Sequence, residues 1–199
     1  MPNKSTGTGQ HSYEVRGDDL YETPEVATRA LLNYIDVRPG DIVWEPACGP
    51  GAIVRELQAH KKQVCYSDIN DYGLKDQVVR NFLDYKFGDE PACDWVITNP
   101  PFMKGQAHKF RNHALNTLKI PNVALLVRLA YLEGVGRMLD HQDGTMAKVI
   151  IFSRRLPMMH RHGWEGPTNS SSMAFCWVVW NVNHYGPPDL EFVDWKEFE

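Results

Sequence analysis

The chain has 199 residues, 43% of them hydrophobic, four cysteines and a formal net charge of −4. That length suits one ordinary domain with a real core. No apolar run approaches the length of a membrane span, and the first ten residues lack the apolar core of a signal peptide, so the expectation is a soluble cytoplasmic protein with no membrane partner. Cys48, Cys65, Cys93 and Cys176 are widely spaced and form no CxxC pair, which argues against a disulfide framework, a zinc knuckle or any other metal site.

The charge is divided along the chain. Residues 1–94 hold 16 Asp and Glu against 10 Lys and Arg, residues 95–188 hold 4 against 10, and residues 189–199 hold 5 against 1. A charge run is usually a solvated face, but an asymmetry of this size raises the expectation of a polyanionic partner.

Residues 1–19 are polar and rich in Gly, Ser and Thr, the composition of a flexible N-terminal tail, and residues 20–199 are expected to form a single domain. Thr23 before Pro24 reads as a helix N-cap with proline in the first helical position. Val26, Ala27, Ala30, Leu31 and Tyr34 then give the stripe of a helix over 24–34, closed by Pro39-Gly40. Residues 41–44 form a buried-strand pattern that runs into Glu45-Pro46-Ala47-Cys48-Gly49-Pro50-Gly51 and then the helical spacing of Ile53, Val54 and Leu57. Strand, glycine turn and helix begin a nucleotide-binding βαβ unit.

A second strand over 64–68 ends in Asp68, about 20 residues after the first glycine, where a carboxylate meets ribose hydroxyls. The third glycine of the dinucleotide fingerprint is replaced by Val54, and Glu45 precedes the loop. A carboxylate beside the loop is unfavourable for pyrophosphate and favourable for a cation, which points away from NAD and toward S-adenosylmethionine. Asn81 and Phe82 follow, an amide and a ring that could serve an adenine; by themselves they read equally well as a turn and a core residue.

Residues 94–98 form a short β-branched run, a strand buried on both faces, and Pro100 and Pro101 end it because they cannot extend a ladder. The result is a rigid tip, Asn99-Pro100-Pro101-Phe102, at the carboxyl edge of a sheet, where ligands bind in open α/β folds. Beyond it come a helix over 104–118, a strand over 122–127, a short helix over 134–139, and strands over 147–152 and 173–180 expected to pair at the sheet edge. The long loop 153–172 is expected to be functional or disordered.

With the glycine loop, Asp68 and Asn99-Pro100-Pro101-Phe102 in this order, the chain resembles class I S-adenosylmethionine-dependent methyltransferases, in particular the N6-adenine DNA methyltransferases of the short, single-domain kind found in phages and prophages. Tyr21-Glu22-Thr23-Pro24 is similar to that family's N-terminal cofactor motif. The resemblance implies a Rossmann-like class I methyltransferase fold, a mostly parallel sheet with helices on both faces and an antiparallel edge strand. It implies cofactor contacts from Tyr21, Thr23, Glu45, Ala47, Gly49, Gly51, Asp68 and Ile69, with Asn81 and Phe82 around the adenine, where the family more often has Asp in place of Asn81. It also implies that Asn99, Pro100, Pro101 and Phe102 hold the methyl-accepting amine, with Phe102 stacked on a base rotated out of its duplex. Methylation of an RNA base or a protein glutamine, or a nucleic-acid-binding module without turnover, are the alternatives.

The basic segment favours nucleic acid, DNA first. Lys104, Lys109, Arg111, Arg154, Arg155 and Arg161, with His160 and His162, are the candidates for phosphate contacts, and Trp164 or Met158 for the second face of the base sandwich. Within 199 residues no separate target-recognition domain is expected, so specificity would be short, lacking, or borrowed from a homodimer or a partner protein.

Overall fold

A computed structural model describes residues 21–103, 105–160 and 172–199. The framework is an eight-stranded sheet ordered β10-β7-β9-β6-β5-β2-β3-β4. Its strands are β2 (Ile42–Glu45), β3 (Gln63–Asp68), β4 (Val78–Val79), β5 (Trp95–Thr98), β6 (Asn122–Arg128), β7 (Met146–Phe152), β9 (Phe175–Asn181) and β10 (Asp189–Val193). All run parallel except β9, which is antiparallel to both β6 and β7. A separate two-stranded ribbon pairs β1 (Tyr21–Glu22) with β8 (Met159–His160).

The alternation of side chains along each central strand builds two cores from one sheet. Trp95 and Ile97 of β5, Ala124 and Leu126 of β6, and Trp177 and Val179 of β9 join one core with α1 (Glu25–Tyr34) and α2 (Ala52–Ala59). Their neighbours Val96, Val123, Leu125, Val178 and Trp180 join the other, under α3 (Gln106–Asn112). Period-2 alternation with apolar residues on both faces is what a sheet buried on both sides requires. The first core is pinned by Trp177, whose Nε1 donates to the Ala27 carbonyl at 2.8 Å. Among the described residues the remaining α-helix is α4 (Met138–Gln142), and α3 continues into a π-helical turn, His113–Thr117.

The strands over 147–152 and 173–180 pair antiparallel as expected. The edge position, however, belongs to β10, which adds parallel to β7 from within the acidic tail; the antiparallel β9 therefore lies third from the edge. The helix expected from Pro24 begins at Glu25, with Pro24 as the cap residue. Thr23 makes no capping bond; it is buried and faces the site instead. The expected tail over 1–19 and most of the 153–172 loop's second half lie outside the described residues.

The Trp177–Ala27 bond ties α1 to the sheet. Trp177→Phe removes this bond and leaves space where the buried indole stood, while the Ala27 carbonyl stays in the helix ladder, so an unfolding free energy lower by about 1–3 kcal/mol is expected in urea titration; an unchanged midpoint would show that the indole and its bond contribute nothing.

Candidate active site

Every parallel strand delivers its last residues to the same edge of the sheet. β2 ends in Glu45, and the loop that follows is held by β3. The Cys48 N–H donates to the Ser67 carbonyl at 3.0 Å, and the Gly49 N–H donates to Asp68 Oδ2 at 2.9 Å. Asp68 Oδ1 accepts from the Asn70 N–H at 2.9 Å, so one carboxylate fixes both loops. Gly49 and Gly51 lie at φ of 49° and 88°, where a side chain is strained, and a Cβ on Gly51 would stand 3.0 Å from Leu74 Cδ1. Gly51 does not line the cavity; it shapes the turn from which α2 starts.

A cavity of about 350 Å³ opens at this edge. Tyr21, Thr23, Glu45, Ala47 and Gly49 line it, as do Asp68, Ile69, Asn81 and Phe82 on one side and Asn99, Pro100, Pro101 and Phe102 on the other. Glu45 is 1% exposed. Burial pushes its carboxyl up to about 8, nearby Asp68 pushes in the same direction, and Thr98 and the Ala47 N–H, donated to Oε1 at 3.0 Å, pull against them. A buried acid held at the edge of ionisation is suited to meeting a cation.

Phe82 lines the cavity and is at the same time the core residue that its sequence context equally allowed. Its ring is 1% exposed and enclosed by Trp44, Phe110 and His113, with centroids 5.1, 4.7 and 5.0 Å away, so it braces the cavity wall and offers no open face for stacking. Among the described residues, the exposed apolar side chains on the cavity include Ile69, 64% exposed, and Met103, 62% exposed.

At the tip, Asn99 Nδ2 donates to the Tyr21 carbonyl at 3.0 Å, while Asn99 Oδ1 is buried and has no partner. A carbonyl accepts only from the N–H end of an amide, so Tyr21 fixes which end faces the cavity. Phe102 sits 5.2 Å from Tyr21 and 5.5 Å from Phe175, centroid to centroid, with the Arg128 guanidinium 5.1 Å from its ring centre. The β1–β8 ribbon thus holds both the catalytic candidate Asn99 and the ring beside it.

Two of the six lysines and arginines expected to meet phosphate are otherwise engaged. Arg111 is 2% exposed and bonded to Asp143, to Asp140 Oδ1 at 3.4 Å and to Thr145 Oγ1 at 3.1 Å; it is a core cation, not a phosphate contact. Arg154 forms a fork on Asp194, with contacts of 2.7–3.1 Å, that holds this carboxyl at about 2. Lys148 lies 3.8 and 3.6 Å from Asp189 and Glu191. The acidic tail, folded as β10, neutralises part of the basic segment, so the charge division along the chain is only partly a division in space. Lys109 and Arg155 are exposed. Lys104, Arg161, His162 and Trp164 fall outside the described residues, and His160 sits opposite Tyr21 in the ribbon. Met158 is buried in the first core and cannot cover a base.

Arg128, whose guanidinium lies against the Phe102 ring, and the cavity residue Gln106 had no sequence signal of their own. Arg128 ends β6, the strand beside β5, and that position alone could have marked it. Gln106 lines the cavity from the start of α3 with a buried, unpartnered Oε1.

No protein-family model and no curated protein sequence matches the chain. Solved structures do. A modification subunit of a putative type I restriction enzyme from Vibrio vulnificus superposes with a TM-score of 0.56 at 15% identity, over 90% of this chain and 48% of that one. The methyltransferase subunit of a type I restriction-modification system from Streptococcus thermophilus gives 0.58 at 18%, over 94% and 50%. The fold is that of class I methyltransferases. A putative RNA methyltransferase from Pyrococcus horikoshii gives 0.58 at 14%, over 81% and 86%. The chain spans about half the length of the two restriction-modification subunits.

Two outcomes are expected of the site's charges. Between the ordinary carboxyl value of 4.5 and about 8, the folded chain holds a proton on Glu45 that the unfolded chain releases, so stability falls as pH rises through that window. Glu45→Gln removes this loss: its melting temperature should match wild type near pH 4 and exceed it by roughly 10 °C at pH 9, and parallel profiles would contradict the buried-acid assignment. Arg111→Met strands Asp140 and Asp143 and should cost about 3 kcal/mol in chemical denaturation, whereas Arg154→Met, at an exposed pair, should leave the unfolding midpoint close to wild type.

Proposed function

We propose that the chain transfers a methyl group from S-adenosylmethionine to the exocyclic N6 amine of adenine in DNA. The observation that carries this reading is Asn99, oriented by the Tyr21 carbonyl so that a bare, buried Oδ1 faces a cavity it shares with Glu45 and Asp68.

The residues present fit the cofactor. Glu45 lies buried beside the glycine loop, where a sulfonium and an ammonium group need a carboxylate, and Asp68 stands at the ribose position at the end of β3. When bound, the cofactor supplies a methyl group activated by a positively charged sulfur. Asn99 Oδ1 and the Pro100 carbonyl each accept one N–H of the acceptor amine. That pairing draws the nitrogen toward tetrahedral geometry and directs its lone pair into the cavity, which an amine conjugated to a ring lacks by itself. No side-chain base is needed, because the proton leaves to water after transfer. The rate enhancement then comes from orientation and fixed dipoles. Phe102, braced by Tyr21 and Phe175, is the ring on which the base stacks.

Adenine in DNA is favoured by the Asn-Pro-Pro-Phe tip together with the described roles of the two restriction-modification subunits. The Pyrococcus protein, described as a putative RNA methyltransferase, keeps an RNA base as the second reading. Since Arg111, Arg154 and Lys148 are engaged within the fold, grip on a duplex falls to Lys109, Arg155 and residues outside the described ones, or to a second copy or partner protein.

The test is a transfer assay with methyl-tritiated S-adenosylmethionine on unmethylated DNA, on RNA and on protein extract, followed by digestion to nucleosides. Label in N6-methyldeoxyadenosine is expected. Asn99→Ala should lower the rate by about 10²–10³ and leave S-adenosylhomocysteine affinity unchanged. Label confined to RNA or protein, or full activity in the Asn99 variant, would contradict the reading.

A further inference from the structure

Gln106 opens α3 one turn before Phe110, so the two side chains share a face of the helix. Phe110 packs on Phe82, with centroids 4.7 Å apart, which places Gln106 on the helix face that packs toward Phe82. Its Oε1 is buried, lines the cavity with the rest of the residue, and accepts no hydrogen bond. A buried oxygen without a donor is unfavourable and marks where a donor arrives.

Asn81, the residue expected to meet the cofactor's adenine, is engaged in its own turn. Its Oδ1 accepts from the Leu83 N–H at 3.1 Å, capping the short helical turn Phe82–Asp84, and its Nδ2 donates to Asp84 Oδ1 at 3.3 Å. The end of Asn81 not used as a cap is a donor, which cannot receive an amine. The Phe82 ring, enclosed on its sides, presents no acceptor either.

We infer that Gln106 Oε1, not Asn81, accepts the exocyclic amine of the cofactor's adenine, with Ile69 as the exposed apolar cover for the ring. This assignment rests on the reading that the cavity holds S-adenosylmethionine, and it makes Gln106 the residue that selects an adenine cofactor.

The experiment compares calorimetric binding of S-adenosylhomocysteine with that of its 6-deamino analogue, in which hydrogen replaces the amine and can neither donate nor accept. Wild type should prefer the parent compound by about tenfold. Gln106→Leu should bring the ratio to about one, while Asn81→Ser, which keeps a capping oxygen, should leave it near tenfold. Gln106→Met serves if the Leu variant melts far below wild type. A Gln106 variant that keeps the preference, an Asn81→Ser protein that loses it, or a wild type that shows none overturns the inference. Failure of wild type to bind S-adenosylhomocysteine at all would instead overturn the cofactor reading beneath it.

Discussion

The 3.0 Å bond from Asn99 Nδ2 to the Tyr21 carbonyl decides what the site can do. An asparagine amide has a donor end and an acceptor end of nearly the same shape, and chemistry at an amine needs the acceptor. The bond is made by backbone, not by a side chain, so it depends on where the chain runs at Tyr21. That course is set by the pairing of β1 with β8, two residues against two. A short ribbon far from the glycine loop in sequence therefore orients the residue on which the proposed reaction turns.

The ribbon has a firm base to work against. β5 is central, buried on both faces and flanked by parallel strands, so the two prolines after Thr98 extend from a fixed position. On the other side, Asp68 holds the glycine loop through one oxygen and its own turn through the other. The cavity lies between these two rigid edges. Its electrostatics are uneven: a buried carboxyl raised to about 8 stands at the glycine loop, and bare amide oxygens stand at Asn99 and Gln106. All three favour positive or hydrogen-donating groups, in keeping with a cationic cofactor and an amine acceptor.

The central strands and the cavity wall were legible in the sequence because their signals are local. A β-branched run ended by prolines, a glycine turn between strand and helix, and an acid at a strand end each act within a few residues. What was not legible depends on partners distant in the chain. The charge division could not reveal that Arg111 is enclosed by Asp140 and Asp143, or that β10 brings Asp189 and Glu191 to Lys148. β10 itself alternates Asp189, Leu190, Glu191 and Phe192, an edge-strand pattern easily taken for a charged tail. The sequence left Phe82 open between an adenine neighbour and a core residue because its enclosure comes from Trp44 and Phe110, on other elements. Thr23 is not the cap its sequence position suggested but lines the cavity, where the resemblance had placed it; a shift of one position at a helix start is beyond what sequence preference resolves.

The measurement that bears most directly on the account is a crystal structure of the protein with S-adenosylhomocysteine and an adenine-containing oligonucleotide. The account predicts the target adenine N6 within hydrogen-bond distance, about 2.7–3.2 Å, of both Asn99 Oδ1 and the Pro100 carbonyl, with Asn99 Nδ2 still on the Tyr21 carbonyl. An adenine bound elsewhere, or an Asn99 amide turned so that Nδ2 faces the acceptor, would contradict it.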